Sequence, residues 1–314
     1  MSKNILVTGI NGFVGKHLVR SFVQASHEVD GLTLDGTLAP ELRGLVKHVL
    51  RCDLTNKSAV DTLDLTPYQA IVNLAGLANV GKSFDEPELY MRVNVDVLRY
   101  IGEKALAQKP SIRLIAISTG AVYDSNQPMP LDEDSRLASG TSPYAKSKLA
   151  MEEAVQQLQQ VGLDCVVARP FNHIGPGQSP GFILPDLYEG LQSALVVKKQ
   201  LKVGNLKTRR DYTDVRDVVN AYMLLTTAPK TSLHYIIYNV CSGIPRTGEE
   251  ILSELQNNIL GSQNVEISID QSRIRPNDPA ELKGSSERLR ADTGWQPNIP
   301  FSKTIADFVA AKQV

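Results

Sequence analysis

Tyr144 and Lys148 stand four residues apart in Ser142-Pro143-Tyr144-Ala145-Lys146-Ser147-Lys148. That spacing puts both side chains on one face if the stretch is helical. A free tyrosine has a pKa of about 10 and exchanges protons poorly near neutrality. A nearby ammonium favours the phenolate and lowers that value. The pair could therefore pass a proton to or from a carbonyl or alcohol oxygen, with Lys148 also holding ribose hydroxyls of a nicotinamide nucleotide. Ser118-Thr119 closes the apolar run 112–117, and Thr119 could donate to the same oxygen and orient it. The chemistry implied is interconversion of C–OH and C=O, with hydride carried by a cofactor. Spacing alone does not single the pair out, because Tyr100 and Lys104 share it. Tyr100 falls late in a helical stretch with no hydroxyl-bearing strand end before it, and that pair reads as a solvated helix face.

Such groups need a scaffold, and residues 4–15 supply its start. Ile5, Leu6 and Val7 form an apolar run suited to a strand buried on both faces. Gly9 permits the turn that follows, Gly12 keeps no side chain between the backbone and a pyrophosphate, and Gly15 lets the next helix pack closely. Free N–H groups of that helix's first turn would face the phosphates, so Gly9, Asn11, Gly12, Phe13, Val14 and Gly15 are the expected dinucleotide contacts. Val14, Leu18, Val19, Phe22 and Val23 give the helix its apolar stripe.

Strand-like and helix-like segments alternate through the first half, which predicts an α/β, Rossmann-type doubly wound parallel sheet. Residues 27–34 read as the second strand, whose end selects the cofactor: a carboxylate there bonds the adenosine ribose and an arginine holds a 2′-phosphate. Here Thr33-Leu34-Asp35 has no basic residue beside it. Asp35 would repel a 2′-phosphate, or serve as a turn aspartate beside Gly36. Asp53-Leu54 could line the adenine pocket, and Asp53 before Thr55-Asn56 could equally start a helix. Residues 70–75 read as the fourth strand, with Leu74 and Ala75 passing under the cofactor. Residues 87–107 have helical periodicity around Asn94, either a solvated helix residue or a bridge near the active site. Ligands gather at the carboxyl ends of an open parallel sheet, so Ser118-Thr119 points at the crevice. Ser142 can cap the next helix and Pro143 suits its first turn, with Met151, Val155 and Leu158 continuing its stripe.

The 314 residues suffice for a large domain with an appended lobe. With 42% hydrophobic and 21% charged residues the composition is that of an ordinary soluble enzyme. The net charge of −1 gives no field for nucleic acid or an anionic membrane. No apolar run is long enough to cross a bilayer and Met1-Ser2-Lys3 leads straight into a strand, so a cytoplasmic location is expected. Cys52, Cys165 and Cys241 have no paired spacing and read as buried free thiols. No histidine cluster suggests a metal.

The constellation resembles the extended short-chain dehydrogenase/reductase family, whose members mostly act on nucleotide sugars. The second half is the more specific. Residues 168–178 (Ala-Arg-Pro-Phe-Asn-His-Ile-Gly-Pro-Gly-Gln), 203–205 (Val-Gly-Asn), 210–217 (Arg-Asp-Tyr-Thr-Asp-Val-Arg-Asp), 238–243 (Tyr-Asn-Val-Cys-Ser-Gly), 273–276 (Arg-Ile-Arg-Pro) and 293–297 (Thr-Gly-Trp-Gln-Pro) look like its branch that reduces the C4 ketone of GDP-4-keto-6-deoxymannose. The resemblance implies that Asn172, Arg210 and Arg275 hold the substrate pyrophosphate, which suits planar guanidinium groups. It implies that Asp278 accepts from the nucleotide ribose and that Thr119, Tyr144 and Lys148 are catalytic; Phe182 and Ile183, after a Gly-Pro-rich loop, could cover the base, and Val203 is a further expected substrate contact. His173 reads as a packing or loop residue. Three departures from the family pattern matter. Ala121 stands where a 4,6-dehydratase of this family needs a carboxylate, which argues against dehydration. Asp124 replaces a usual glycine, and Leu34 replaces a usual basic residue. The resemblance favours NADP(H), whereas Leu34 and Asp35 favour NAD(H). A 4-epimerase with bound NAD would use the same residues, and a dinucleotide-sensing protein would not need them. Residues 1–171 with 212–240 would build the dinucleotide-binding domain, and 172–211 with 241–314 the nucleotide-sugar domain. Thr247 with Glu250 is a capping box. The family also implies a homodimer through the helices beginning near Pro87 and Tyr144.

Overall fold

Short apolar runs separated by turn residues become strands. In the computed structural model, which describes residues 2–138, 142–197, 200–259, 265–274 and 278–313, seven of them join one parallel sheet. In chain order the strands are β1 (Asn4–Thr8), β2 (Glu28–Thr33), β3 (Val49–Arg51), β4 (Ala70–Asn73), β5 (Arg113–Ile117), β6 (Asp164–Pro170), β7 (Asn172–Ile174), β8 (Leu201–Val203), β9 (Arg209–Asp214), β10 (Ile237–Val240), β11 (Pro245–Thr247), β12 (Ile267–Ile269) and β13 (Glu281–Leu282). The helices are α1 (Phe13–Gln24), α2 (Lys57–Asp61), α3 (Pro87–Met91), α4 (Val97–Gln108), α5 (Pro143–Gln160), α6 (Ile183–Val197), α7 (Val215–Thr227), α8 (Gly248–Ile259), α9 (Glu287–Thr293) and α10 (Phe301–Lys312). The large sheet runs β10-β6-β5-β4-β1-β2-β3. Strand order therefore reverses between β1 and β4, and at such a switch point an open sheet leaves a crevice at the strands' carboxyl ends.

Successive side chains of each strand serve opposite faces. Ile5 and Val7 pack with Leu18, Val19 and Phe22 of α1 and with Val218 of α7, while Leu6 joins Ile101 of α4 and Val155 of α5. Ile115 divides from Leu114 and Ala116 in the same way. Helices on both faces explain why these strands read as unbroken apolar runs. The fold is the Rossmann-type doubly wound sheet expected. Cys52, Cys165 and Cys241 are buried free thiols.

Strands β7, β11 and β13 pair with β9, and β12 with β8, outside the large sheet. They surround a separate core of Leu187, Leu191, Val203, Ile251, Leu255 and Phe308. The capping box forms: Thr247 N–H donates to Glu250 Oε2 at 2.7 Å, and Glu250 N–H to Thr247 Oγ1 at 3.0 Å. The helical stretch 87–107 departs from expectation. It breaks into α3, a π-helical turn over Arg92–Asp96, and α4. Asn94 lies in that turn and is 1% exposed.

Candidate active site

The glycine turn forms as its residue types require. Gly9 has φ +63°, and a Cβ there would lie 2.8 Å from both Ala75 N and Leu74 C, so the backbones of the turn and of the β4 end touch. At Gly15 a Cβ would lie 2.5 Å from Ile10 O and 2.7 Å from Gly9 O. Gly12 is the exposed N-cap of α1, and no side chain caps it. A buried bond from Thr8 Oγ1 to Asn73 Oδ1 (2.7 Å) and one from Ala75 N–H to Thr8 Oγ1 (3.0 Å) fix the β4 end beside the turn. Asn11 donates to Thr37 O and accepts from Ala39 N–H, which ties the turn to the loop after β2. These glycine cradles and the open helix terminus fit a dinucleotide pyrophosphate. Phe13 and Val14 begin α1, partly buried. Thr33 accepts from Gly36 N–H. Asp35 is exposed and engaged by Thr37, whose N–H and hydroxyl hold its carboxyl below the usual range. It is thus an anionic turn aspartate, facing solvent beside exposed Leu34. Asp53 caps Thr55 through its N–H and hydroxyl, and Leu54 is buried.

Beyond Ala75, Gly76 links this cradle to the Tyr-Lys pair: a Cβ there would lie 2.9 Å from Asn94 Oδ1 and 3.5 Å from Lys148 Nζ. Asn94 accepts from Leu77 N–H (2.8 Å) and donates to Leu77 O (3.2 Å) and Ser147 Oγ (2.9 Å). It therefore bridges the β4 loop to α5 and is not a solvated helix residue. A π-turn inside an α-helix frequently marks a functional site. Ser142 caps α5, accepting from Ala145 N–H at 3.3 Å. Tyr144 and Lys148 face inward from it, each 7% exposed. The side chains of Tyr144 and Thr119 hydrogen-bond to each other, and the Tyr90 ring meets the Tyr144 ring edge to face at 6.3 Å.

One expectation fails here. Burial pushes the Tyr144 phenol up, against the lowering effect of its bond with Thr119. Attraction to Lys148 does not overcome this, since its Nζ donates to Ile117 O at 2.8 Å and burial pushes the ammonium itself down to about 8, opposed by Glu152. Desolvation acts on both groups and outweighs any attraction between them. The second Tyr-Lys pair is half-exposed rather than a solvated face, Tyr100 packing in part against the core. Arg99 covers the Tyr100 ring and Lys104 donates to Asp61 O on the outer side of α4.

Of the residues assigned to the sugar nucleotide, Arg210 and Asp278 are joined, NH2 to Oδ1 at 2.7 Å. Val203 lines a cleft of about 470 Å³ with Ile183, Leu187, Gly204 and Arg273. Phe182 is exposed and not among that cleft's lining residues. Asn172 is an exposed residue of β7, aligned with Tyr212 of β9. Arg275 lies outside the described residues. His173 stacks on Phe13 at 6.1 Å and its Nδ1–H donates to Phe171 O. It thus packs against the glycine turn, and burial keeps it neutral by pushing its pKa down. Asp124 organises its loop as an ion-pair partner of Arg136 (2.9 Å) and a cap for Asn126. Sequence reasoning missed Tyr90, Ser147, Glu152 and Arg169. Of these only Glu152 carried a signal, a charged residue one turn beyond Lys148 on the apolar side of the helix. Among the described residues no group of three or more His, Cys, Asp or Glu could hold a metal, and no helix is long and apolar enough to cross a membrane.

A Rossmann-type sheet with a glycine cradle at its switch point and a Thr-Tyr-Lys constellation, its Tyr and Lys buried, at the neighbouring strand end defines an NAD(P)-dependent short-chain dehydrogenase/reductase. The chain belongs to the NAD dependent epimerase/dehydratase family, whose sequence pattern matches residues 5–241. It is 31% identical to GDP-6-deoxy-D-mannose reductase of Pseudomonas aeruginosa, over 97% of this chain and 95% of that protein. The structure of RMD from Pseudomonas aeruginosa complexed with NADPH superposes with a TM-score of 0.83 at 29% identity, covering 100% of both chains. UDP-glucose 4-epimerase of Thermus thermophilus in complex with NAD gives a TM-score of 0.83 at 26% identity, covering 99% of each chain.

Proposed function

We propose that this protein reduces the C4 ketone of a nucleotide-diphosphate 4-keto-6-deoxy sugar, GDP-4-keto-6-deoxy-D-mannose to GDP-D-rhamnose, at the expense of NADPH or NADH. The observation that carries the reading is the buried Tyr144 and Lys148 on one face of α5, with Thr119 beside the phenol, at the β5 end. A reduced nicotinamide supplies the hydride. Tyr144, kept protonated by burial, donates its proton to O4, while Thr119 holds the same oxygen in line. Lys148, still mostly an ammonium near neutrality, stabilises the phenolate left behind. Gly9, Gly12 and Gly15 receive the pyrophosphate of the dinucleotide, and Asn94 fixes the loop that follows Leu74 and Ala75. Arg210 grips the substrate diphosphate and Asp278 its ribose, and the family resemblance assigns Asn172 and Arg275 to the same diphosphate. The sugar nucleotide lies between the large sheet's domain and a second domain built from 172–211 and 241–314, with its base in the cleft bordered by Val203.

The second reading, a 4-epimerase, is favoured by the likeness to UDP-glucose 4-epimerase with NAD. Dehydration is disfavoured because Ala121, two residues after Thr119, has no carboxylate to remove a C5 proton. Supplying GDP-, dTDP- and UDP-linked 4-keto sugars with each reduced nicotinamide separates the readings. A reductase consumes one reduced nicotinamide per sugar, whereas an epimerase turns over without stoichiometric consumption. We further propose a homodimer, since Phe84 and Met91 beside α3 stay exposed, and light scattering that finds a monomer would refute it.

A further inference from the structure

Glu152 and Arg169 form a buried ion pair that the proposed chemistry does not use. Glu152 lies one turn beyond Lys148 on α5 and is 4% exposed, and Arg169 near the end of β6 is 2% exposed. The guanidinium grips the carboxylate at two points, Nε to Oε1 at 2.9 Å and NH2 to Oε2 at 2.6 Å. The Ser118 hydroxyl donates to the same carboxylate. The remaining guanidinium nitrogen donates to Tyr123 Oη at 2.8 Å, and that phenol donates to Asn239 Oδ1 at 2.7 Å.

One carboxylate thus holds residues 118–123 at both ends, Ser118 directly and Tyr123 through Arg169. Thr119 lies between those anchors, capping the turn Gly120–Val122. The helix that carries the carboxylate also carries Tyr144 and Lys148, and Lys148 binds the carbonyl of Ile117, the residue before Ser118. A buried ion pair is a poor source of stability, since apolar residues of similar volume often do as well or better. Its use here is geometric. We propose that Glu152, clamped by Arg169 and Ser118, is a positioning residue that sets Thr119 against Tyr144 and Lys148 and keeps an anion one turn behind the lysine ammonium.

The inference rests on the ketoreductase reading. The groups facing the Lys148 ammonium are Tyr144 and Glu152 on its own helix, with Asn94 of the π-turn and the Ile117 carbonyl. Tyr90 of α3 lies against the Tyr144 ring, and Arg169, Tyr123 and then Glu133 lie behind Glu152. Glu152→Gln keeps the shape but removes the anion and leaves the Arg169 cation unbalanced, so Lys148 loses its proton at lower pH. The expected result is a kcat lowered by about 10²-fold, the effect of a misplacement of about 1 Å, with KM for the keto sugar nearly unchanged. The alkaline limb of the kcat profile moves down by about one pH unit, and Glu152→Asp restores the limb. A loss of equal size at every pH, or wild-type kcat, overturns the proposal. Should Glu152→Gln fail to fold, Arg169→Lys keeps the charge and loses the two-point grip. It is expected to lower kcat with the limb unmoved, and wild-type kcat in that variant overturns the clamp. The phenolate absorbance titration of each protein, minus that of its Tyr144→Phe counterpart, reads Tyr144 without turnover. A shifted titration in Glu152→Gln supports the proposal and an unshifted one overturns it. Failure of the ketoreductase reading would show separately, as wild-type protein that consumes no reduced nicotinamide.

Discussion

Tyr144→Phe removes one oxygen from a side chain whose ring is otherwise held by packing. The Tyr90 ring at 6.3 Å and the helix cap at Ser142 do not depend on the hydroxyl. What is lost structurally is the hydrogen bond with Thr119, about 1 kcal/mol, partly returned because a buried phenol no longer needs a partner. The proton donor, by contrast, is lost outright. Removing a positioned general acid costs about 10²–10⁴-fold in kcat, or about 3–5 kcal/mol of barrier. The variant should therefore melt within a few degrees of wild type and bind the reduced nicotinamide normally, yet consume it at no more than about one hundredth of the wild-type rate. Tyr100→Phe, at the same spacing to a lysine, should leave kcat unchanged. The assay is loss of nicotinamide absorbance on addition of the keto sugar, with binding followed by quenching of protein fluorescence. A Tyr144→Phe protein retaining a third of the wild-type kcat, or a Tyr100→Phe protein as impaired as Tyr144→Phe, would refute the assignment.

The Lys148 ammonium has a folded pKa near 8 against an ordinary 10.5, so between those values the unfolded chain binds more protons and stability rises with pH. Lys148→Met should be more stable than wild type near neutrality by up to about 3 kcal/mol, and denaturant titrations should show the gap narrowing as pH rises through that window; a constant gap would contradict the burial argument. Leu34→Arg combined with Asp35→Ser replaces an anion with a cation where a 2′-phosphate would sit, and should raise the NADPH to NADH ratio of kcat/KM by about tenfold or more, while an unchanged ratio would mean that the end of β2 does not read the ribose. Arg210→Met should raise KM for the sugar nucleotide by about ten- to hundredfold with little change in kcat, the loss of one charge-assisted contact, and an unchanged KM would remove Arg210 from the diphosphate site.

The parts of this structure legible in the sequence are those written in a local period. Gly9, Gly12 and Gly15 between an apolar run and a helical stripe give the cradle, and the Thr247-Glu250 box gives the start of α8. The Tyr144-Lys148 spacing with Ser142 and Pro143 before it gives α5 and its inward face. What escaped depends on pairing between distant segments. Glu152 and Arg169 meet because α5 packs on β5 and β6, whose register sets Ile117 beside Ala168. Arg210 and Asp278 meet through pairing of β9 with β13. The π-turn at Asn94 was hidden because its cause, the bonds to Leu77 and Ser147, lies on other elements. The direction of the Tyr144 shift was misjudged for a related reason: four-residue spacing places an ammonium near a phenol but says nothing of the carbonyl at Ile117 that claims it.

The two Tyr-x-x-x-Lys pairs of this chain separate geometry from chemistry. Both sit on helices flanking the same face of the sheet and both have the same reach. Around Tyr100 the neighbours are Arg99, Lys57 and the edge of the core, and Lys104 is spent on the Asp61 carbonyl. Tyr144 and Lys148 instead enter where β4 and β5 end, between a π-turn and a loop held by a buried carboxylate. Desolvation there raises the phenol and lowers the ammonium, so near neutrality the pair is a protonated phenol beside an ammonium, a proton donor that a substrate oxygen can draw on as its carbon receives hydride. The packing of α5 against the π-turn and the loop after β5 creates that buried, polar-lined corner, and without it the same pair would lie on an ordinary helix face.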